Sequence, residues 1–477
     1  MPNVLDLTVA HELCIGCGVC AGVCPHRHLQ MQLNAYGEYN PIEVTACDNK
    51  QCTLCQSVCP NLPNMYETEE IPNEDDLAKR EYAGLDNIQH QSETGYYLKS
   101  LVGYVKNHER RIASASGGLL TWTLEQLIER GSIDYVIAVE PRKDETPLFA
   151  FRLCNTVEEV RHCSRSCYYP VEISRMIQYM QENDARYAIV ALPCVAKAIR
   201  LAQSKSPKLR ERIKYVLGLT CGQGKSTFLT EALCSMMGGN ANEITQAMFR
   251  VKDLSRPASD FGFRCCTQTV DQSPRKTMFW KEGMDKLFVN RHFTLNGCFF
   301  CDDVFSECAD ASFMDAWLPE YFKDGRGHSL VICRKNELLK IMMTGDGIEV
   351  QDIPISKVIH SQRGVVKNKK EMPGFYIHMT LKRGWYSPYR RKSALQRKKT
   401  GIIQSAKYVI ALQIARQSRQ QWLESGREAS VYQKKMSWLL FKLFLWQDVT
   451  GMPRTMASKL LRIFKNAKLK EQKKRSI

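Results

Sequence analysis

The sequence predicts an α+β and α/β chain in three parts: a small cysteine-rich module, a larger α/β domain and a basic helical C-terminal extension. Three observations predict it. Two runs of four cysteines lie between residues 14 and 59, each closing in Cys-Pro. From residue 101 onward, short apolar runs of strand type alternate with stretches of helical periodicity, the order expected when helices cover a parallel sheet. The charge is confined to one end: residues 381–477 carry 24 Lys and Arg against 4 Asp and Glu, whereas all the others carry 43 against 46. A length of 477 residues leaves room for about three domains.

In the first cysteine run, Cys14, Cys17 and Cys20 are spaced by two residues each, and Cys24 precedes Pro25. Three thiolates at these gaps can wrap one corner of an iron–sulfur cube, while the fourth leaves the loop to serve a neighbouring cube. This is the spacing of a bacterial ferredoxin. The second run, Cys47, Cys52, Cys55 and Cys59-Pro60, has two extra residues in its first gap. With the fourth cysteine of each run crossing over, Cys14, Cys17, Cys20 and Cys59 form one ligand set; Cys24, Cys52, Cys55 and Cys47 form the other, with Cys47 the weakest ligand. The rival is structural zinc, but zinc sites need only four ligands in two pairs. A disulfide framework fits less well still, because so long a chain does not need one. Moreover, the opening Met1-Pro2-Asn3-Val4-Leu5-Asp6 lacks the basic-then-apolar layout of a secretory signal. The expectation is a cytoplasmic chain whose 20 cysteines are thiolate ligands and buried thiols.

Residues 1–66 are assigned to this ferredoxin-type module, with a small hairpin expected across His28–Pro41 around Gly37. Residues 67–100 turn acidic and polar and read as a linker or covering segment. Beyond it a different texture begins at Leu101–Val105; Leu119–Arg130 reads as a helix stopped by Gly131, Tyr135–Val139 as a buried strand, and Tyr187–Leu192 and Tyr215–Thr220 as strand patterns. The small-residue loop Ser114-Ala115-Ser116-Gly117-Gly118 opens that helix. Such a loop can seat a phosphate on exposed backbone N–H groups, or it can be a plain tight turn with an N-cap.

Cys194 and Cys221 fall where two of these strands run out, the edge at which open α/β sheets gather ligands. Cys298 and Cys301 form a local pair elsewhere. The four could converge on a third cluster. Alternatively Cys298 and Cys301 join Cys308 in a zinc knuckle, with Cys194 and Cys221 as buried small apolar residues.

Further pieces in the same order are Ser166-Cys167-Tyr168, Leu192-Pro193-Cys194, Gly218-Leu219-Thr220-Cys221, Gly297-Cys298-Phe299-Phe300-Cys301, Ala309–Trp317 and Gly327–Ile332. With Ser116-Gly117-Gly118 they resemble the beta subunits of coenzyme F420 hydrogenases and dehydrogenases, a family that includes bacterial-type divinyl chlorophyllide and hydroxymethyl-chlorophyll reductases. The resemblance divides the α/β part into an N-terminal-like region at 101–180 and a C-terminal-like region at 181–373. It implies noncovalent FAD beside an iron–sulfur cluster held by Cys194, Cys221, Cys298 and Cys301. It also implies flavin-side roles for Ser116, Gly117, Gly118, Ser166, Tyr168, Asp315 and Trp317. The chain departs from the family pattern at Cys167, where a lysine is usual, and at Met314, where a glycine is usual.

The expected function is an iron–sulfur flavoprotein oxidoreductase, moving electrons from a one-electron donor, such as a ferredoxin or redox subunit, through 4Fe-4S clusters to FAD and a small organic substrate. Asp315 and His328 are the candidates for proton delivery. The alternatives are a relay to a separate catalytic partner and a metal-stabilised interaction protein at a membrane surface. Residues 374–477 read as a helical extension. Its Lys and Arg either form a solvated face or hold an interfacial helix to anionic lipid at the inner face of the membrane. No recognition module for nucleic acid is present in this tail, and no run approaches the ~18 apolar residues of a membrane span.

Overall fold

The apolar runs pair into one large mixed sheet. The structure, a computed structural model, describes residues 2–47, 52–63, 71–268, 277–388 and 400–448. The eight strands lie in the order Ile348–Asp352, Lys99–Val105, Ser329–Cys333, Ala311–Asp315, Ile213–Leu219, Tyr187–Ala191, Tyr135–Pro141 and Phe149–Cys154. The middle four, from Ala311–Asp315 to Tyr135–Pro141, run parallel, and their neighbours on both sides are antiparallel. Parallel strands need crossovers, and helices Ser174–Glu182 and Pro193–Lys205 supply two of them. Pro193 sits at the first helical position of the latter, where a missing N–H costs nothing. The carboxyl ends of the parallel strands therefore share one edge, which carries Cys194, Cys221 and Asp315.

Each face of the sheet has its own apolar layer. On one, Val19, Cys20, Val58 and Cys59 of the cysteine-rich module share a core with Ile177, Val195, Ile199 and Leu209. The module thus docks directly on the crossover helices. Gly22 is the close-approach point, since a Cβ there would stand 2.6 Å from Ile177 Cβ. The expected hairpin is present, with Leu29 opposite Glu43 and Leu33 opposite Tyr39.

The polar segment at 67–100 is more than a linker. It carries helix Glu74–Tyr82, begun by a capping box between Asn73 and Asp76. Tyr82 at its end is fully buried and donates to Cys308 O at 3.1 Å and Asp310 Oδ1 at 3.2 Å. Its charged outer face hid the few apolar residues, Leu77, Ala78 and Tyr82, that anchor it.

A second sheet of three strands, Ile244–Val251, Gly262–Thr267 and Met278–Phe279, packs with two C-terminal helices, Ile402–Glu424 and Ala429–Asp448. Trp422 and Tyr432 of these helices are buried against Phe228 and Phe293, and Arg419 pairs with Glu38 of the module at 2.6 Å. This part of the extension is packed on the body. The basic clusters at 390–392, 397–399 and 465–475 lie outside the described residues. No described helix is long and apolar enough to cross a membrane. Helix Arg363–Lys382 runs through the expected boundary at 373 and reaches back to the sheet edge.

Candidate functional site

The N-terminal thiols sort into groups by what surrounds them. Cys14, Cys17, Cys20 and Cys59 line one apolar cavity with Val4, Met31 and Val58. Burial raises Cys14 to about 11 and Cys17 and Cys20 well above their ordinary range, and the other thiolates of the group push the same way. Four thiols driven together out of water repel one another once ionised, so the arrangement suits a bound polynuclear cation. Cys55 is raised by burial and next by Cys52 and Cys24, which makes those three neighbours. Cys47 is exposed, with its backbone N–H on Glu43 Oε1 at 3.0 Å, and is the least enclosed of the eight.

At the sheet edge the topology assembles a further group. Cys194 enters from the first turn of helix Pro193–Lys205, Cys221 follows strand Ile213–Leu219, and Cys298 and Cys301 come from the turn around Asn296–Phe300. Cys194 is raised by burial and then by Cys221, Cys301, Cys298 and Cys17, so the four are mutual neighbours and lie near the first group. The N–H of Gly224 donates to Cys298 Sγ at 3.2 Å. The buried Lys369 ammonium donates to Cys301 Sγ at 3.2 Å and to Asp303 O at 2.7 Å. Burial opposes the charge of Lys369, but Cys301, Cys221 and Asp303 outweigh it and raise its pKa. Cys308 is elsewhere, with its thiol against Glu74 O at 3.9 Å, so the zinc knuckle with Cys298 and Cys301 does not form. Among the described residues no three His, Cys, Asp or Glu side chains are arranged to grip a single ion. A cube asks for something different, one thiolate at each of four irons. A cavity of about 520 Å³ opens beside these groups, between Leu13, Phe299 and Phe300 and the helical residues Tyr376 and Arg416.

Along the same edge lies a cluster of cations. Gly118 takes a left-handed φ of 89° to open helix Leu119–Glu129. A Cβ on Gly117 would meet Gly103 O and Ser329 N at 2.6 Å, so only glycine lets this loop lie on the strands. Ser116 Oγ donates to His328 O at 2.6 Å. Lys252 Nζ reaches the carbonyls of Arg111, Ser116 and Arg326 at 2.6 to 2.7 Å. Burial, with Arg250 beside it, brings Lys252 down to about 7. Arg250 pairs with Asp315, donates to Ala115 O at 2.8 Å, and lies over Phe261 and Trp317. Tyr168 packs edge-on to Phe249 and Phe288, and burial raises its hydroxyl. Arg165 is half-buried and faces Arg264, a like charge. Even with Lys252 only partly charged, Arg111, Arg165, Arg250 and Arg264 outnumber the carboxylates Asp315 and Asp324 at a loop that opens a helix, an arrangement that favours an anion.

Both proton-delivery candidates have anchoring roles. Asp315 is tied to Arg250, and its backbone carbonyl accepts from Gln362 Nε2 at 2.9 Å. Burial and then Arg111 bring His328 down to about 4, so its imidazole is neutral at pH 7. Ser166 and Cys167 are half-buried in the segment before Tyr168. Sequence reasoning missed Arg111, Arg165, Arg250, Lys252 and Lys369. They stand in no recognisable spacing, and only the fold brings them to the edge.

The α/β part matches two models of one family. Residues 100–178 match the model for the N-terminal part of the coenzyme F420 hydrogenase/dehydrogenase beta subunit, and residues 184–354 match the model for its C-terminal part. The chain belongs to the family of coenzyme F420 hydrogenase/dehydrogenase beta subunits. Within this family member, residues 7–27 also match a 4Fe-4S binding domain. One of the subunits of the F(420)H(2) dehydrogenase of Methanosarcina mazei is 21% identical over 298 residues, covering 56% of this chain and 76% of that one. The coenzyme F420-dependent sulfite reductase of Methanocaldococcus jannaschii is 22% identical over 369 residues, 73% of this chain; the match spans 49% of the reductase. An uncharacterised ferredoxin of the same organism is 38% identical over 56 residues, 70% of its length. A structure of the F420-reducing [NiFe] hydrogenase complex from Methanosarcina barkeri aligns with a TM-score of 0.46 at 17% identity, covering 59% of this chain and 92% of the other. This family member is therefore an iron–sulfur protein of the oxidoreductase class.

Proposed function

We propose that this chain is an iron–sulfur flavoprotein oxidoreductase that couples a one-electron donor, such as a ferredoxin or redox subunit, to a small organic substrate. Its 4Fe-4S clusters are held by Cys14, Cys17, Cys20 and Cys59, by Cys24, Cys47, Cys52 and Cys55, and by Cys194, Cys221, Cys298 and Cys301. FAD is assigned to the Ser116–Gly118 loop. The observation that carries this reading is the adjacency of Cys221 and Asp315, which follow or end neighbouring parallel strands, so the thiol group and the cation cluster share one edge. FAD when bound supplies the exchange between one-electron and two-electron chemistry that clusters lack. The chain's own part is binding and orientation. Arg250, Arg165, Lys252 and Arg111 favour a diphosphate, Gly117 and Gly118 let backbone approach it, and Tyr168, Phe261 and Trp317 give an aromatic wall that excludes water.

The test is protein purified without oxygen. About twelve iron atoms per chain and a yellow chromophore released on heating are expected; zinc in place of iron, or no chromophore, sinks the reading. A second reading, a relay to a separate catalytic partner, is favoured by one observation, that the Methanosarcina mazei relative is named as a subunit. Chemically reduced protein separates the two, because an autonomous reductase turns over a small acceptor and a relay needs its partner chain.

A further inference from the structure

The sheet-edge thiols differ from the N-terminal ones in a way that bears on the path of electrons. Lys369 is 3% exposed and sits on helix Arg363–Lys382, outside the 100–178 and 184–354 segments that match the family. Its Nζ lies 3.2 Å from Cys301 Sγ, and Asp303 O at 2.7 Å fixes it there. Gln362, next to the start of the same helix, bonds the Asp315 carbonyl at 2.9 Å. The helix is therefore tied to the sheet edge at both points.

Around Cys14, in the first N-terminal group, the surroundings are uncharged overall. The Gly16 N–H donates to Cys14 Sγ at 3.4 Å, a neutral contact. The nearby Glu38 carboxylate is itself paired with Arg419 at 2.6 Å, so among the described residues no unpaired cation at Cys14 matches the Lys369 contact on Cys301.

Resting on the proposed third cluster, we infer that Lys369 is a potential-setting residue: its buried ammonium, bonded to Cys301 Sγ, raises the reduction potential of that cluster above that of the cluster on Cys14, Cys17, Cys20 and Cys59. The physical basis is charge. Each reduction adds one electron to the cluster, breaks no bond, and leaves the site one unit more negative. A cation at hydrogen-bond distance in a buried site stabilises that state more than the oxidised one, and N–H···S bonds act in the same direction. Electrons entering at the N-terminal module then run downhill to the sheet edge, beside the cation cluster.

The test is a potentiometric titration of the anaerobically purified full chain, with dithionite as the electron source and electron paramagnetic resonance as the readout. In Lys369→Met and Lys369→Gln the midpoint of one cluster falls, more for Met than for Gln, which keeps a donor. In Lys369→Arg it stays close to the wild type. The N-terminal signals do not move in any of them. Gln keeps a polar group of moderate size, so it reports even where Met fails to fold. A Lys369→Gln protein with unchanged midpoints overturns the inference, as does a uniform shift of all signals, which marks a global effect. Wild-type protein holding only about eight iron atoms removes the third cluster itself, and the inference with it; twelve irons with an unmoved midpoint remove the role of Lys369 alone.

Discussion

In the N-terminal module, Cys14, Cys17 and Cys20 come from a single loop and the opening of one short helix, and they line a cavity whose other walls are largely apolar. At the sheet edge, Cys194, Cys221, Cys298 and Cys301 come from three segments far apart in the chain, and a lysine from a fourth segment touches them. A local loop can place three ligands before anything else folds. The distributed group exists only after the sheet, the Asn296–Phe300 turn and helix Arg363–Lys382 have come together. The two groups should therefore respond differently to the same insult.

The largest effect is expected from ligand loss. Cys20→Ser should remove about four iron atoms per chain and also loosen the module, because Cys20 lies in the core shared with Ile177 and Val195. Cys298→Ser should remove about four as well, while the N-terminal spectroscopic signals persist. Iron analysis with electron paramagnetic resonance checks both. Loss of all signals from Cys298→Ser would mean the two groups do not assemble independently.

Acid provides the next contrast. His292 is buried against Tyr432 of helix Ala429–Asp448, and burial followed by Lys225 brings it down to about 3. Its folded pKa lies below the ordinary 6.5, so its contribution to stability is present above pH 6.5 and is lost as pH falls toward 3. That amounts to about 5 kcal/mol in all. Phe293 beside His292 stacks on Tyr432 and lies five residues before Cys298, so the sheet-edge signal should fade as pH falls. Urea unfolding at pH 7 and pH 4 measures the slope, and His292→Gln should flatten it.

Arg250→Met tests the cation cluster beside the sheet-edge group. It strands the partly buried Asp315 and should cost about 3 kcal/mol; on the proposed FAD assignment it should also lose flavin and keep its iron. Loss of iron in step with flavin would show that the cation cluster and the thiols are one structural unit. Gly22→Ala should have the smallest effect, roughly 1–3 kcal/mol, since Ile177 and the Ser174 carbonyl must give way. Its denaturation midpoint should fall without changing the sheet-edge spectrum.

The sequence alone determined what is set by short range. Two-residue gaps between cysteines fix which thiols can share a loop, apolar runs fix the strands at 135–141, 187–191 and 213–219, and Gly117-Gly118 fixes the turn into a helix. The family pattern added that Cys194, Cys221, Cys298 and Cys301 belong together. Tertiary structure alone decided the surroundings. The helix Glu74–Tyr82 was masked by its acidic outer face, and the packing of Ile402–Glu424 on Phe293 could not be read from a basic tail. Arg250, Lys252 and Lys369 have no pattern of their own. A cation acquires meaning only from the anion or thiol within about 4 Å of it, and that distance is set by folding rather than by spacing along the chain.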